Sequence, residues 1–313
     1  MSVTITSATA FAPATVGNVG VGFDLLGHAM VSVGDRVTVR LIDEPTVRIV
    51  GGNDPTIPVD AASNTAGAGL LRLVADRNFD HGFEVVVEKG IPLGSGMGGS
   101  AASAAGAVVA ASRLLPGGLT EAELLRYGMI GEAVATNSFH PDNLAPCILG
   151  GLVIAFGGDT MDVLRVPVPA SLHCVVVHPR LRLDTRDARR ILPEKICLDR
   201  HVAQSGNLAG VIAGCFTGNL ELIARSLEDL IIEPTRAPLV TGFAEVKRAA
   251  LGAGALGCSL SGSGPSLFAW CDGARAGELI RERMIAAFAD AGVESRGWVS
   301  VVDAPGTRIE SEE

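Results

Sequence analysis

The stretch Ile91-Pro92-Leu93-Gly94-Ser95-Gly96-Met97-Gly98-Gly99-Ser100-Ala101-Ala102 is the part of the chain best suited to chemistry. Gly94, Gly96, Gly98 and Gly99 let the backbone turn sharply and expose its N–H groups. Those groups, with the positive end of a helix starting behind them, make a site for a polyphosphate. The Ser100 hydroxyl stands where it can bond a phosphate oxygen or a Mg²⁺ ion. Three readings of the loop compete. A tight turn into a buried helix is a poor fit, because so many glycines cost more chain entropy than a turn requires. Gly94, Gly96 and Gly99 match G-x-G-x-x-G, but a dinucleotide site wants an acidic strand end roughly 20 positions on, and the start of a helix at Glu121–Glu123 stands there instead. The third reading is a nucleotide-phosphate loop of another kind, since no G-x-x-x-x-G-K-[ST] occurs.

The elements that must position this loop follow from periodicity. Gly82–Glu88, with Phe83, Val85 and Val87 at period two, is a strand leading in. Ser100–Leu114 is an Ala-rich helix leading out, small enough in side chain to pack closely on a sheet. Thr120 and Glu123 form a capping box for a helix to about Asn137. Upstream, Val3–Phe11, Gly34–Leu41 and Thr46–Val50 read as strands, Ala12–Gly22 as a loop and Asn64–Arg77 as a helix. Downstream, strands are expected at Gly150–Phe156, Cys174–His178, Ser266–Trp270 and Gly297–Val302. Helices are expected at Thr185–Ile191, Val202–Cys215, Asn219–Leu230, Leu239–Leu251 and Gly273–Ala291, and a loose charged tail at Arg308–Glu313. Strands and helices intermix without a βαβ repeat, which favours α+β. A change of domain is expected near residues 160–172, where Pro167 and Pro169 flank a short segment.

With 313 residues, 48% hydrophobic and 19% charged, the chain has material for two packed domains. A net charge of −9 argues against a nucleic-acid partner. No apolar run is long enough to span a bilayer and no signal peptide is evident, so a cytoplasmic protein is expected. The six cysteines, without a C-x-x-C pair, read as buried small hydrophobes in a reduced compartment.

Two further segments bear on the loop. One is Ala12-Pro13-Ala14-Thr15-Val16-Gly17-Asn18-Val19-Gly20-Val21-Gly22-Phe23-Asp24-Leu25-Leu26-Gly27; the other runs from Gly254 through Ser261-Gly262-Ser263-Gly264 to Ser266. With the glycine-rich loop they resemble, in order, the three motifs of the GHMP kinases. Within that superfamily the chain resembles the homoserine kinases. The similarity is carried by the opening A-P-A-T-x-x-N-x-G-x-G-F-D, by His140-Pro141-Asp142-Asn143-Leu144-Ala145-Pro146, by Thr185–Pro193 and by Glu233-Pro234-Thr235-Arg236, and it spans about Thr9 to Trp270.

The resemblance implies ATP-dependent phosphorylation of the L-homoserine hydroxyl, a step of threonine biosynthesis. It also implies a two-domain α+β fold: an N-terminal nucleotide-binding domain, residues 1–165, similar to ribosomal protein S5 domain 2, and a ferredoxin-like C-terminal domain, residues 166–313. It places ATP on Pro92, Leu93, Gly94, Ser95, Gly96, Met97, Gly98, Gly99, Ser100, Ala101 and Ala102, with Asn64 and Lys89 nearby. Ser100 and Glu132 become Mg²⁺ ligands, although Glu132 alone reads as an exposed helix carboxylate and Lys89 as a solvated strand end. Arg189 and Arg236 suit a carboxylate clamp, Asp24 with Asn18 an ammonium acceptor, and His140, Asp142 and Asn143 the hydroxyl end. Asn143, Asp24 and Arg189 are the expected catalytic residues. Asparagine stands at Asn143 where related kinases place an aspartate, so catalysis by positioning and charge neutralisation, without a base, is expected. The chain departs from its family at Gly99, often Ser, and at Gln204 and Asn207, where some members carry basic or His residues. A homodimer is a family-level expectation. The alternatives are another GHMP enzyme, such as a mevalonate kinase or diphosphomevalonate decarboxylase, and a non-catalytic ligand-binding relative.

Overall fold

Two sheets share an apolar core, a second apolar core lies between the second sheet and the helices that hold Val246 and Met284, and the site lies where the loops of the two sheets meet. The computed structural model describes residues 5–136, 141–156, 162–183 and 185–313. In the first layer, β1 (Ser7–Gly17), β2 (Leu26–Ile42) and β3 (Val47–Gly52) precede α1 (Thr65–Arg77) and β4 (Gly82–Glu88). Then come α2 (Gly99–Leu114), α3 (Glu121–Thr136), α4 (Leu144–Leu149), β5 (Leu152–Phe156) and β6 (Asp162–Val166). The second layer runs through β7 (Leu172–Pro179), α5 (Thr185–Arg190), α6 (Leu198–Thr217), α7 (Leu220–Ser226) and α8 (Glu233–Arg236). It continues with α9 (Phe243–Gly252), β8 (Gly257–Leu260), β9 (Leu267–Asp272), α10 (Ala274–Asp290) and β10 (Ser295–Val301), before β11 (Arg308–Glu312) returns to the first sheet.

The first sheet has the order β11-β1-β2-β4-β3, with β5 and β6 branching from β2. Ala8, Ala10, Ala12, Ala14 and Val16 alternate along β1 and are all buried. Against this sheet α2 buries Ala101, Ala104, Ala105 and Val108, a helix of small side chains that sits close to the strands. Thr120 and Glu123 form the expected capping box: Glu123 N–H donates to Thr120 Oγ1 at 3.3 Å and Thr120 N–H to Glu123 Oε2 at 2.8 Å. That backbone bond, with help from Arg77, holds the Glu123 carboxyl down at about 2.

The second sheet is antiparallel, in the order β10-β7-β9-β8. A strand, helices, a hairpin, a helix and a strand arranged this way form the ferredoxin-like pattern. Its other face packs on the first layer. There the Trp270 indole N–H donates to His28 Nε2 at 3.2 Å while His28 Nδ1 meets the Ala29 carbonyl at 2.9 Å. Burial pushes the His28 ring down to about 4, so it is a neutral core residue.

Four expectations are corrected. The tail is a strand, not a loose end: β11 pairs antiparallel with β1, pinned by Arg36–Glu310 and Arg113–Glu312. Ala12–Gly17 is not loop but the end of β1, because β2 runs from Leu26 and pairs along it to Gly17. The short elements α4, α8, β6 and β8 lie outside the expected elements, each too brief for periodicity to show. Cys197 is exposed, while the other five cysteines are buried.

Candidate active site

Between β4 and α2 the chain passes through left-handed backbone at Gly94 (φ 64°), Gly96 (φ 74°) and Gly98 (φ 68°). Two of these positions also exclude a side chain by contact. A Cβ on residue 96 would lie 2.5 Å from the carbonyl oxygens of Ser261 and Gly264, and one on residue 98 would lie 2.0 Å from Thr15 Oγ1. The loop is moored by its carbonyls. Thr15 N–H donates to Met97 O at 3.1 Å, Ser266 N–H to Ser95 O at 3.2 Å and Ser261 Oγ to Gly96 O at 2.8 Å. The three motifs thus converge on one loop, and α2 starts behind it with no side-chain cap. A cleft of about 580 Å³ opens on this helix start, lined by Gly94, Gly96, Gly98, Gly99 and Ser100 on one side and by Thr56, Pro58 and Asn64 on another.

Not every expected nucleotide residue faces that cleft. Met97, Ala101 and Ala102 are wholly buried, and their side chains support the loop from behind. Asn64 lines the cleft and also caps α1, its Oδ1 accepting from Ala66 N–H at 2.8 Å and Gly67 N–H at 3.3 Å. Lys89 is neither a solvated strand end nor free to move. Its Nζ pairs with buried Asp35 and donates to Gly99 O at 2.6 Å and Ser103 Oγ at 3.1 Å, which uses its three donors.

Glu132 is not an exposed helix carboxylate. It is 5% exposed, lines the cleft with Ser100, and burial with a repulsive contribution from Asp142 pushes it up to about 8. Asp142, 3% exposed, is raised to about 7, first by burial and then by Asp24. Next to it Asn143 lines the cleft floor; Thr15 Oγ1 donates to Asn143 Oδ1 at 2.8 Å, and Asn143 Nδ2 donates to Asp142 Oδ2 at 3.3 Å. Asp142 in turn accepts from Asn18 N–H at 3.2 Å.

Beyond Asn143 lie the remaining polar residues. Asn18 (φ 66°) and Asp24 (φ 57°) take left-handed backbone that Asn and Asp tolerate, whereas Val19 (φ 43°) between them is an outlier for a β-branched residue. Asn18 Oδ1 accepts from Asp24 N–H at 2.9 Å, and its Nδ2 donates to Gly262 O at 2.8 Å. Arg189 pairs with Asp24, so the two expected roles, anion clamp and ammonium acceptor, sit on partners already touching. Arg236 is 2% exposed, donates from Nε to Ala188 O at 3.0 Å, and is lowered from its ordinary value by burial and by Arg189. Both guanidiniums stand over Phe23, at 5.2 and 5.3 Å from its centroid. His140 lies outside the described residues. Thr15, Ser261, Gly262, Ser263 and Phe23 belong to the site but carried no assigned role; all stand inside the quoted motifs, so position within a motif was the available signal. Arg182 lines the cleft with no motif to announce it.

Comparison with known proteins gives a consistent result. The family GHMP kinases N terminal domain matches residues 64–151, and GHMP kinases C terminal matches residues 209–290. A homoserine kinase of Xylella fastidiosa is 49% identical over 305 residues, covering 96% of this chain and 94% of that protein. One of Chloroherpeton thalassium is 41% identical, covering 96% and 98%. The crystal structure of a homoserine kinase from Cytophaga hutchinsonii superposes with a TM-score of 0.95 at 43% identity, covering 99% of each chain.

Proposed function

The chain belongs to the homoserine kinases of the GHMP kinase superfamily, enzymes that use ATP to phosphorylate the L-homoserine hydroxyl in threonine biosynthesis, and we propose how its residues divide that work. ATP occupies the cleft above Gly94–Ser100, its phosphates on the loop amides and the start of α2. Homoserine occupies the cluster beyond Asn143: Arg189 and Arg236 take its carboxylate, and Asp24 and Asp142, with Asn18, take its ammonium. The observation that carries this reading is the position of Asn143, which lines the nucleotide cleft and is also bonded to Asp142. A hydroxyl delivered there would stand where the nucleotide cleft and the substrate cluster adjoin. Thr15 fixes the amide of Asn143, which has no proton-accepting capacity at neutral pH. The chain therefore works by positioning and charge neutralisation, in keeping with a loose phosphoryl-transfer transition state.

Mg²⁺ fits the donors present. Ser100 offers a hydroxyl and Glu132 a buried carboxylate, both lining the cleft. Among the described residues no group of three or more His, Cys, Asp or Glu could hold a metal, which suits an ion that prefers few protein ligands plus waters and substrate phosphates. When bound, Mg²⁺ supplies neutralisation of phosphate charge.

We also place the enzyme in the cytoplasm, supported by its six free cysteines, and as a homodimer, supported by the exposed Leu198, Val202 and Phe216 along α6. No helix among the described residues is long and apolar enough to cross a membrane. Light scattering checks the dimer. An ADP-release assay with homoserine, mevalonate and galactose, with and without Mg²⁺, tests the function: turnover is expected with homoserine and Mg²⁺ alone. ATP binding without turnover of any of the three would overturn the catalytic reading.

A further inference from the structure

The nucleotide cleft has a cation problem. A triphosphate brings several negative charges, and among the described residues the cations lining the cleft are Lys89 and Arg182. Lys89 is spent on Asp35, Gly99 O and Ser103 Oγ. Arg182 is exposed, in the connection between β7 and α5, and has no ion pair among the described residues. Its side chain lies over the first glycine of the phosphate loop: Cγ is 2.8 Å and Nε 3.5 Å from where a Cβ of residue 94 would stand. The backbone follows, with Leu183 N–H directed at Gly94 O at 3.4 Å. Asp54, next to cleft-lining Thr56, is lowered first by its bonds to Thr56 and slightly by attraction to Lys89 and Arg182.

We propose that Arg182 is a phosphate-gripping residue supplied by the second layer, closing over Gly94 to hold the ATP polyphosphate between its guanidinium and the loop amides. The planar fork of a guanidinium matches phosphate oxygens two at a time. The residue explains how the loop can bind a triphosphate without a lysine inside it. It also makes nucleotide binding report on the fit between the two layers. This inference rests on the placement of ATP in the cleft.

The test is steady-state kinetics and calorimetric binding of ATP and adenosine to wild type, Arg182→Ala and Arg182→Lys. Arg182→Ala is expected to lower kcat/KM for ATP about 10- to 100-fold, the effect of losing one charged phosphate contact, with Arg182→Lys between it and wild type. Adenosine affinity and the KM for homoserine at saturating ATP are expected to stay at wild-type values, which a merely structural role would not produce. If wild type binds ATP and Arg182→Ala matches it in kcat/KM for ATP, the role of Arg182 is overturned and the cleft assignment stands. If wild type binds no ATP, the cleft assignment falls and the proposal with it.

Discussion

Asp35 and Glu132 are both buried carboxylates beside α2, and they meet opposite fates. Asp35 is fully enclosed, and its oxygens accept from Lys89 Nζ, from the N–H groups of Gly90 and Ile91 at 3.0 Å each, and from Ser103 Oγ at 3.1 Å. Glu132 and its neighbour Asp142 are nearly as deep, yet burial raises them to about 8 and about 7. A buried charge with a complete set of partners is scaffold. A pair of carboxylates pushed upward beside an open cleft marks a candidate ligand site, which is where the proposed Mg²⁺ and substrate ammonium are placed.

The comparison can be broken most violently at its scaffold end. Asp35→Ala strands the Lys89 ammonium in the interior and is expected to cost about 3–5 kcal/mol in urea unfolding, with Lys89→Met added to it restoring part of the loss. A shift under about 1 kcal/mol would mean that the pair is not scaffold. At the site end, Glu132→Gln is expected to lower kcat about 100-fold or more by weakening the metal site. Its effect on stability has the opposite sign. The folded carboxyl titrates at about 8 against an ordinary 4.5, so the folded state holds the proton longer and Mg²⁺-free wild type loses stability as pH rises through that window. Thermal melts without Mg²⁺ should show Glu132→Gln more stable than wild type at pH 8 and indistinguishable below pH 4.5.

Arg236→Lys sharpens the substrate end. It is expected to raise the KM for homoserine about tenfold or more and leave the KM for ATP unchanged, because a point charge replaces a bidentate fork. Asp142 gives a smaller, pH-dependent effect. Its carboxyl, raised to about 7, accepts the ammonium only when ionised, so kcat/KM for homoserine should rise up to about pH 7 and level off above it. Asp142→Asn should remove that limb. The kcat of wild type at saturating homoserine should lack it; a limb in kcat would reveal a base and contradict catalysis by positioning. The smallest effect belongs to the surface: Glu312→Gln, which opens an exposed pair with Arg113, should leave the urea-unfolding midpoint close to that of wild type.

What was legible in the residues was local. β4, the glycine loop, α2 and the Thr120–Glu123 box are each written within a few consecutive positions, and all stand where expected. The elements that were not legible owe their form to distant partners. β11 alternates Arg308, Glu310 and Glu312 with Ile309 and Ser311 and reads as a solvated tail until β1 offers an open edge and Arg36 and Arg113 offer charges. α4 is a six-residue helix, too short for a period to show. In the site, the motif residues came together as their order implied, but the partner of Lys89 is 54 positions away and its burial could not be read locally. The depth of Glu132 came from packing, not from its helix pattern. Arg182 enters through the β7–α5 connection, outside every motif, because what places it is the contact between layers.

The most direct measurement is a crystal structure with a non-hydrolysable ATP analogue, Mg²⁺ and L-homoserine. The account predicts phosphates on the amides from Gly94 to Ser100, the metal between Ser100 and Glu132, and the homoserine hydroxyl beside Asn143 facing the terminal phosphate. A triphosphate bound elsewhere, or a homoserine hydroxyl turned away from Asn143 toward Arg189 and Arg236, would contradict it.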